Sequence, residues 1–202
     1  MDFKLYNDFI LVPVKCGTRF LLDSGFEQTG HLPMNELQRI PNIPNLKYII
    51  VRDPMEHFFS AIRQDIVPVL DKKMSKKKRR DKINSILEGY RNIPDVASGL
   101  HYYTKLYELL YRFWRKTKNK DFQIVNINNL SKLLSILGFA FKYDETRYRP
   151  SSMDKNELVI WLKSNYEIPF NLCIDDITND IIFYNALISG EMLSIEMFEK
   201  LL

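Results

Sequence analysis

Cysteine is almost missing from this chain. Cys16 and Cys173 are the two thiols in 202 residues, too few for a disulfide framework, and a reducing compartment is the default for such a composition. Histidine is equally sparse, at three residues, and no His, Cys or carboxylate cluster has metal-ligand spacing, so no metal is expected. No apolar run approaches the ~20 residues of a membrane span. The first residues lack the layout of a signal peptide. A cytoplasmic protein without a membrane span is the expectation. The nucleotide loop GxxxxGK[ST] is also lacking, as are internal repeats.

Apolar and aromatic residues are plentiful, at 46% and 13%. That composition supports one globular domain over residues 1–202 with a sizeable core. The net charge of +4 and pI near 8.9 suit an anionic ligand without requiring nucleic acid. Residues 72–82 hold most of the charge run. It reads either as a solvated connection or as a basic rim for an anionic partner, a glycan or a phosphate backbone. No aromatics interleave with it, which makes nucleic acid the lesser option.

The stretch around residues 9–20 organises the rest. Phe9-Ile10-Leu11-Val12 reads as a buried strand, and Phe20-Leu21-Leu22 as the start of a helix. Between them Lys15-Cys16-Gly17-Thr18-Arg19 turns the chain. A strand turning into a helix through Lys-x-Gly-Thr offers N–H donors, a cation and a hydroxyl to one point, which is what phosphate or sulfate requires. Gly17 is expected to let a ligand approach the backbone.

A second strand, Tyr48-Ile49-Ile50-Val51, ends in Arg52. Asp53 suits the N-cap, Pro54 the first helical position and Glu56 the capping box. Met55, Phe58, Phe59, Ile62 and Ile66 predict one apolar helix face. Ser60 lies two turns in.

These two stretches resemble the PAPS-dependent sulfotransferases, in particular the carbohydrate-modifying branch. That family writes P-K-x-G-[ST]-[ST] for its 5′-phosphosulfate loop, and R-[DN]-P with a serine eight residues after the arginine for its 3′-phosphate site. Lys15-Cys16-Gly17-Thr18 matches the first motif, and Arg52-Asp53-Pro54 with Ser60 the second. The stretch Ser98-Gly99-Leu100-His101-Tyr102 and the strand-like Phe122-Gln123-Ile124-Val125-Asn126-Ile127 with Leu130 extend the likeness over roughly residues 8–137. There are departures: Val14 splits the Pro-Lys pair, Arg19 replaces a hydroxyl residue, and Asn128-Asn129 replace an acidic pair.

The resemblance implies a sulfotransferase that moves the sulfuryl group of PAPS (3′-phosphoadenosine 5′-phosphosulfate) to an acceptor hydroxyl, most simply on a carbohydrate. Lys15 would stabilise charge on the leaving oxygen. Cys16, Gly17, Thr18 and Arg19 would hold the 5′ group, and Arg52 with Ser60 the 3′-phosphate. Arg149 would close over the nucleotide from a late loop. His31 is the first candidate for the base and Glu27 the second. His57 reads as a helix-surface residue and His101 as packing. Two alternatives stand beside this reading: a degraded relative that binds PAP without turnover, and a basic nucleotide- or nucleic-acid-binding protein.

For the rest of the chain, residues 26–47 read as loop with one helical turn. Residues 97–117 read as a long amphipathic helix whose aromatic stripe is core packing. Residues 122–127 predict a third buried parallel strand, and residues 130–137 a helix stopped by Gly138. Helices around residues 158–162, 174–189 and 191–202 make the C-terminal third helical. The expected fold is α/β, a three-layer P-loop-like arrangement around a small parallel sheet.

Overall fold

The computed structural model describes residues 2–33, 37, 43–91, 105–117, 121–140 and 153–189. The expectations for Arg149, His101 and the helix at 191–202 fall outside these residues. The chain opens with a hairpin. Strand β1 (Asp2–Tyr6) pairs antiparallel with β2 (Ile10–Pro13). Asn7 and Asp8 turn it at φ 45° and 62°, and the Phe9 N–H donates to the Tyr6 carbonyl at 3.0 Å. Asparagine and aspartate tolerate that left-handed pair better than most residues.

Helix α1 (Thr18–Asp23) follows β2 and ends before Gly25 at φ 92°. Strand β3 (Gln28–Pro33) then pairs antiparallel with β1. Strand β4 (Tyr48–Val51) lies parallel to β2, and β5 (Gln123–Asn126) parallel to β4. The sheet order is β3-β1-β2-β4-β5. Two sequence expectations are corrected here. The sheet is mixed, not parallel, and residues 28–33 form a strand where a loop was expected. Gln-Thr-Gly-His-Leu-Pro is tolerated as a strand because it is an edge, where polar side chains and proline do no damage to the ladder. Strand β5 is likewise an edge and only half-buried.

Alternation along β2 assigns its two faces. Leu11 joins Phe3, Ile49, Val51, Phe58 and Ile62 in one apolar cluster. Ile10 and Val12 join Tyr6, Leu21, Leu130 and Leu134 in another. The first cluster is built by α2 (Pro54–Asp71), α3 (Lys76–Arg91), α4 (Leu106–Lys116) and α6 (Lys155–Ser189). The second is closed by α1 and α5 (Leu130–Ile136), the latter stopped at Gly138 with φ 79°.

Helix α6 packs on α2, α3 and α4. It is broken at Tyr166, whose φ of −143° and ψ of 37° are not helical. Pro169 has no N–H for the carbonyl of residue 165 and crowds it, so the continuous helix fails there. The aromatic stripe of α4 is core, as expected: Tyr107, Tyr111 and Phe113 are buried.

Candidate functional site

Parallel strands β2, β4 and β5 end at one edge of the sheet, so the segments following residues 13, 51 and 126 lie side by side. Ligands of α/β folds gather at such carboxyl ends. The turn after β2 is closed by the Cys16 N–H donating to the Pro13 carbonyl at 3.0 Å. Lys15 and Gly17 both take positive φ, 73° and 97°. The Leu21 N–H then reaches back to the Gly17 carbonyl at 3.2 Å and starts α1.

The two sequence motifs meet here. The Arg52 guanidinium donates to the Lys15 carbonyl at 3.4 Å and lies 3.8 Å from the Glu56 carboxylate. Glu56 also pairs with Lys155 at the start of α6, and that ammonium stands 4.7 Å over the Phe59 ring. Burial, followed by the nearby Arg19 and Arg52 cations, pulls the Lys15 ammonium down to about 8, with Asp65 opposing. A half-buried lysine facing two more cations is stabilised in its charged form by an anion. Lys15 is therefore part of the packed loop and not a freely solvated side chain.

Beneath this surface lies a polar network that the sequence did not reveal. His57 is fully buried, contrary to the expectation of a helix-surface residue. Its Nε2 lies 2.8 Å from the Val14 carbonyl. A carbonyl only accepts, so Nε2 carries the proton. Its Nδ1 faces the Tyr107 hydroxyl at 3.3 Å and Cys16 Sγ at 3.8 Å. The Tyr107 hydroxyl donates to the Arg52 carbonyl and accepts the Arg52 N–H at 3.3 Å. With that proton used, the Cys16 S–H is the donor facing Nδ1. His57 and Tyr107 thus tie the turn after β2 to the end of β4. At the end of β5, the Asn126 side chain donates to the Tyr184 hydroxyl and accepts the Asn128 N–H at 2.9 Å. Tyr184 packs edge-on against Tyr107, ring centroids 5.3 Å apart.

One expectation for the turn changes. Cys16 was expected to contact a phosphate. Its N–H is taken by Pro13, its side chain is 0% exposed, and burial pushes its thiol up to about 12. It is a neutral core residue, neither ligand nor nucleophile. Gly17 is also required by the packing of the fold itself. Its φ is left-handed, and a Cβ there would stand 2.9 Å from Leu130 Cδ2 and 3.6 Å from Ile127.

Thr18 and Arg19 begin α1, with Arg19 exposed. Ser60 is half-buried, two turns into α2, and its hydroxyl makes no hydrogen bond among the described residues. Register separates the two base candidates. His31 pairs with Lys4, which pairs with Val12, so it sits level with the functional end of β2, two strands away and exposed. At ~4.8 Å per strand that is about 10 Å across the sheet. Glu27 is held by Asn7 at the hairpin turn, its N–H 2.8 Å from Asn7 Oδ1. That is the opposite end of β2 from Lys15, which does not suit a shared reaction centre.

Helix α2 also carries the basic run away from the site. It leads from Arg52 to Lys72, and 18 residues at ~1.5 Å each span about 27 Å. The run is no rim of this site. Among the described residues no group of three or more His, Cys, Asp or Glu could hold a metal ion, and no helix is long and apolar enough to cross a membrane. No family model, curated protein or solved structure matches the chain.

Proposed function

We propose that this chain is a PAPS-dependent sulfotransferase on a P-loop-like, three-layer α/β scaffold, transferring the sulfuryl group to an acceptor hydroxyl, most simply of a carbohydrate, in the cytoplasm. The observation that carries the reading is the junction of Arg52 with the Lys15 turn. Two cations from separate sequence motifs share the carboxyl edge of adjacent parallel strands, and burial, then Arg19 and more weakly Arg52, depresses the Lys15 ammonium.

In this mechanism the acceptor oxygen attacks sulfur in line, and the S–O bond to the 5′-phosphate breaks. Lys15 neutralises the charge growing on the leaving phosphate oxygen, and the Thr18 hydroxyl orients that phosphate. Arg52 draws the 3′-phosphate, with Ser60 as a hydroxyl donor. His31 is the base candidate on the functional side of the sheet, taking the acceptor proton.

Binding of PAP without turnover is the second reading. It is favoured by the occupied state of the site's own groups: Cys16 N–H on Pro13, and Arg52 on the Lys15 carbonyl and Glu56.

Calorimetric titration with PAP and with AMP tests both. A phosphate held by charge-assisted hydrogen bonds worth about 1.5–3 kcal/mol each predicts PAP binding at least roughly ten-fold tighter than AMP, with Arg52→Ala erasing most of the preference. Equal affinity for the two nucleotides defeats the site and the sulfotransferase together. A retained preference with no acceptor turnover leaves the second reading.

A further inference from the structure

The turn between α2 and α3 concentrates the charge of the whole chain. Residues 71–82 contain six lysines and two arginines against Asp71 and Asp81. Eight cations less two carboxylates give +6, more than the +4 of the full sequence, so all other residues together are net negative. The lysines are exposed, and none of them forms a salt bridge with a described residue. Ser75 accepts the Lys78 N–H at 3.3 Å and Arg79 donates to the Lys72 carbonyl at 3.2 Å, which fixes the turn. The first turn of α3 holds no acid. Lysines there oppose the helix dipole, so helix stability does not account for them.

Shape and chemistry separate the possible occupants. Five consecutive cations, residues 76–80, advance by ~100° each and surround the helix end. No aromatic residue interleaves with the cations of residues 71–82, so nothing within the run stacks the bases of a nucleic acid. Lysine outnumbers arginine three to one, which suits diffuse attraction to a charged surface better than forked recognition of single phosphates. An apolar anchor stands next to it. Tyr166, at the break of α6, lies within the electrostatic reach of Arg80 and Arg79 and packs on Trp161 at 5.4 Å. Two residues on, Ile168 is 75% exposed, and one turn further Leu172 is exposed as well.

We propose that the α2–α3 turn docks the protein on an anionic lipid leaflet, with Ile168 entering the headgroup region beside it. Clusters of four to eight lysines and arginines are attracted to such surfaces, and a short apolar insertion strengthens the attachment. This inference is independent of the sulfotransferase reading. About 27 Å of α2 separates the tip from Arg52, so docking leaves the Lys15 edge clear of the leaflet.

Sedimentation with vesicles of phosphatidylcholine alone, and with roughly one-third phosphatidylserine, tests it on the full chain. Binding is expected only to the anionic vesicles and should weaken as salt shortens the screening length. The triple change Lys76→Gln, Lys77→Gln, Lys78→Gln should reduce it by about five-fold per lysine, roughly a hundred-fold in all, without lowering the melting temperature. Ile168→Ser should reduce vesicle binding about ten-fold. Equal binding to neutral and anionic vesicles, or none to either, overturns the proposal. So does binding of heparin or a single-stranded oligonucleotide by a wild type that ignores the vesicles, since the partner is then a polymer. Vesicle binding insensitive to Ile168→Ser overturns the apolar anchor.

Discussion

Lys15 links the stability of this fold to its ligand through one proton. An ordinary lysine near 10.5 falls to about 8 in the folded chain, so between those values the unfolded state holds more protons. Stability therefore rises as pH climbs from about 8 to 10.5, and the penalty of the buried cation is fully present below 8. Discounted for partial exposure, that penalty is of order 1 kcal/mol. Lys15→Met at pH 7 is expected to raise the melting temperature by about 2–4 °C and to lose the alkaline gain, as followed by thermal melts across pH. A bound anion favours the ammonium, so wild-type PAP affinity should fall as pH passes 8, which Lys15→Met would not show. The lysine and its Gly-Thr neighbours were legible in the sequence because a short motif carries them. His57 and Tyr107 were not. Fifty residues separate them, and an aromatic stripe gives no sign of which hydroxyl reaches a distant carbonyl.

The start of α2 was read correctly because its signals are local. Asp53 accepts the Glu56 N–H at 3.0 Å, Pro54 opens the helix, and Phe58, Ile62 and Ile66 are buried on one face. Asp53→Ala should cost about 1 kcal/mol, measurable by urea unfolding. It should also lower PAP affinity, because the same cap sets where Arg52 leaves β4. Strand β3 shows the converse. Nothing in Gln-Thr-Gly-His-Leu-Pro favours a strand by composition. It becomes one because β1 offers an open edge, and β1 is itself a run of five residues whose alternation of Phe3 and Leu5 with Lys4 and Tyr6 is too short to announce a strand. The sequence predicts separate helices around residues 158–162 and over 174–189, and the break of α6 at Tyr166 falls between them.

Residues 2–6 matter to the whole sheet. Strand β1 is second from the edge of the sheet and carries β3 on one side and β2 on the other. Deleting residues 1–6 would strand β3, expose the flank of β2 and remove the buried Phe3 and Tyr6 from the two apolar clusters. The expected result is loss of cooperative unfolding in circular dichroism melts. A chain that retained a sharp transition would show β1 to be dispensable. The strand order also dictates a sequence of events during synthesis. Strands β1, β2 and β3 are joined by nearest-neighbour antiparallel pairing and can assemble once residue 33 has cleared the ribosome, in keeping with N-terminal parts folding first. The far flank of β2, Ile10 and Leu11, then waits for β4 to arrive, and β4 waits for residues 123–126. Until then the nascent chain presents an apolar unpaired strand, the kind of edge that recruits other chains. Slower translation between residues 33 and 126 would lengthen that exposure, and soluble yield should fall with it.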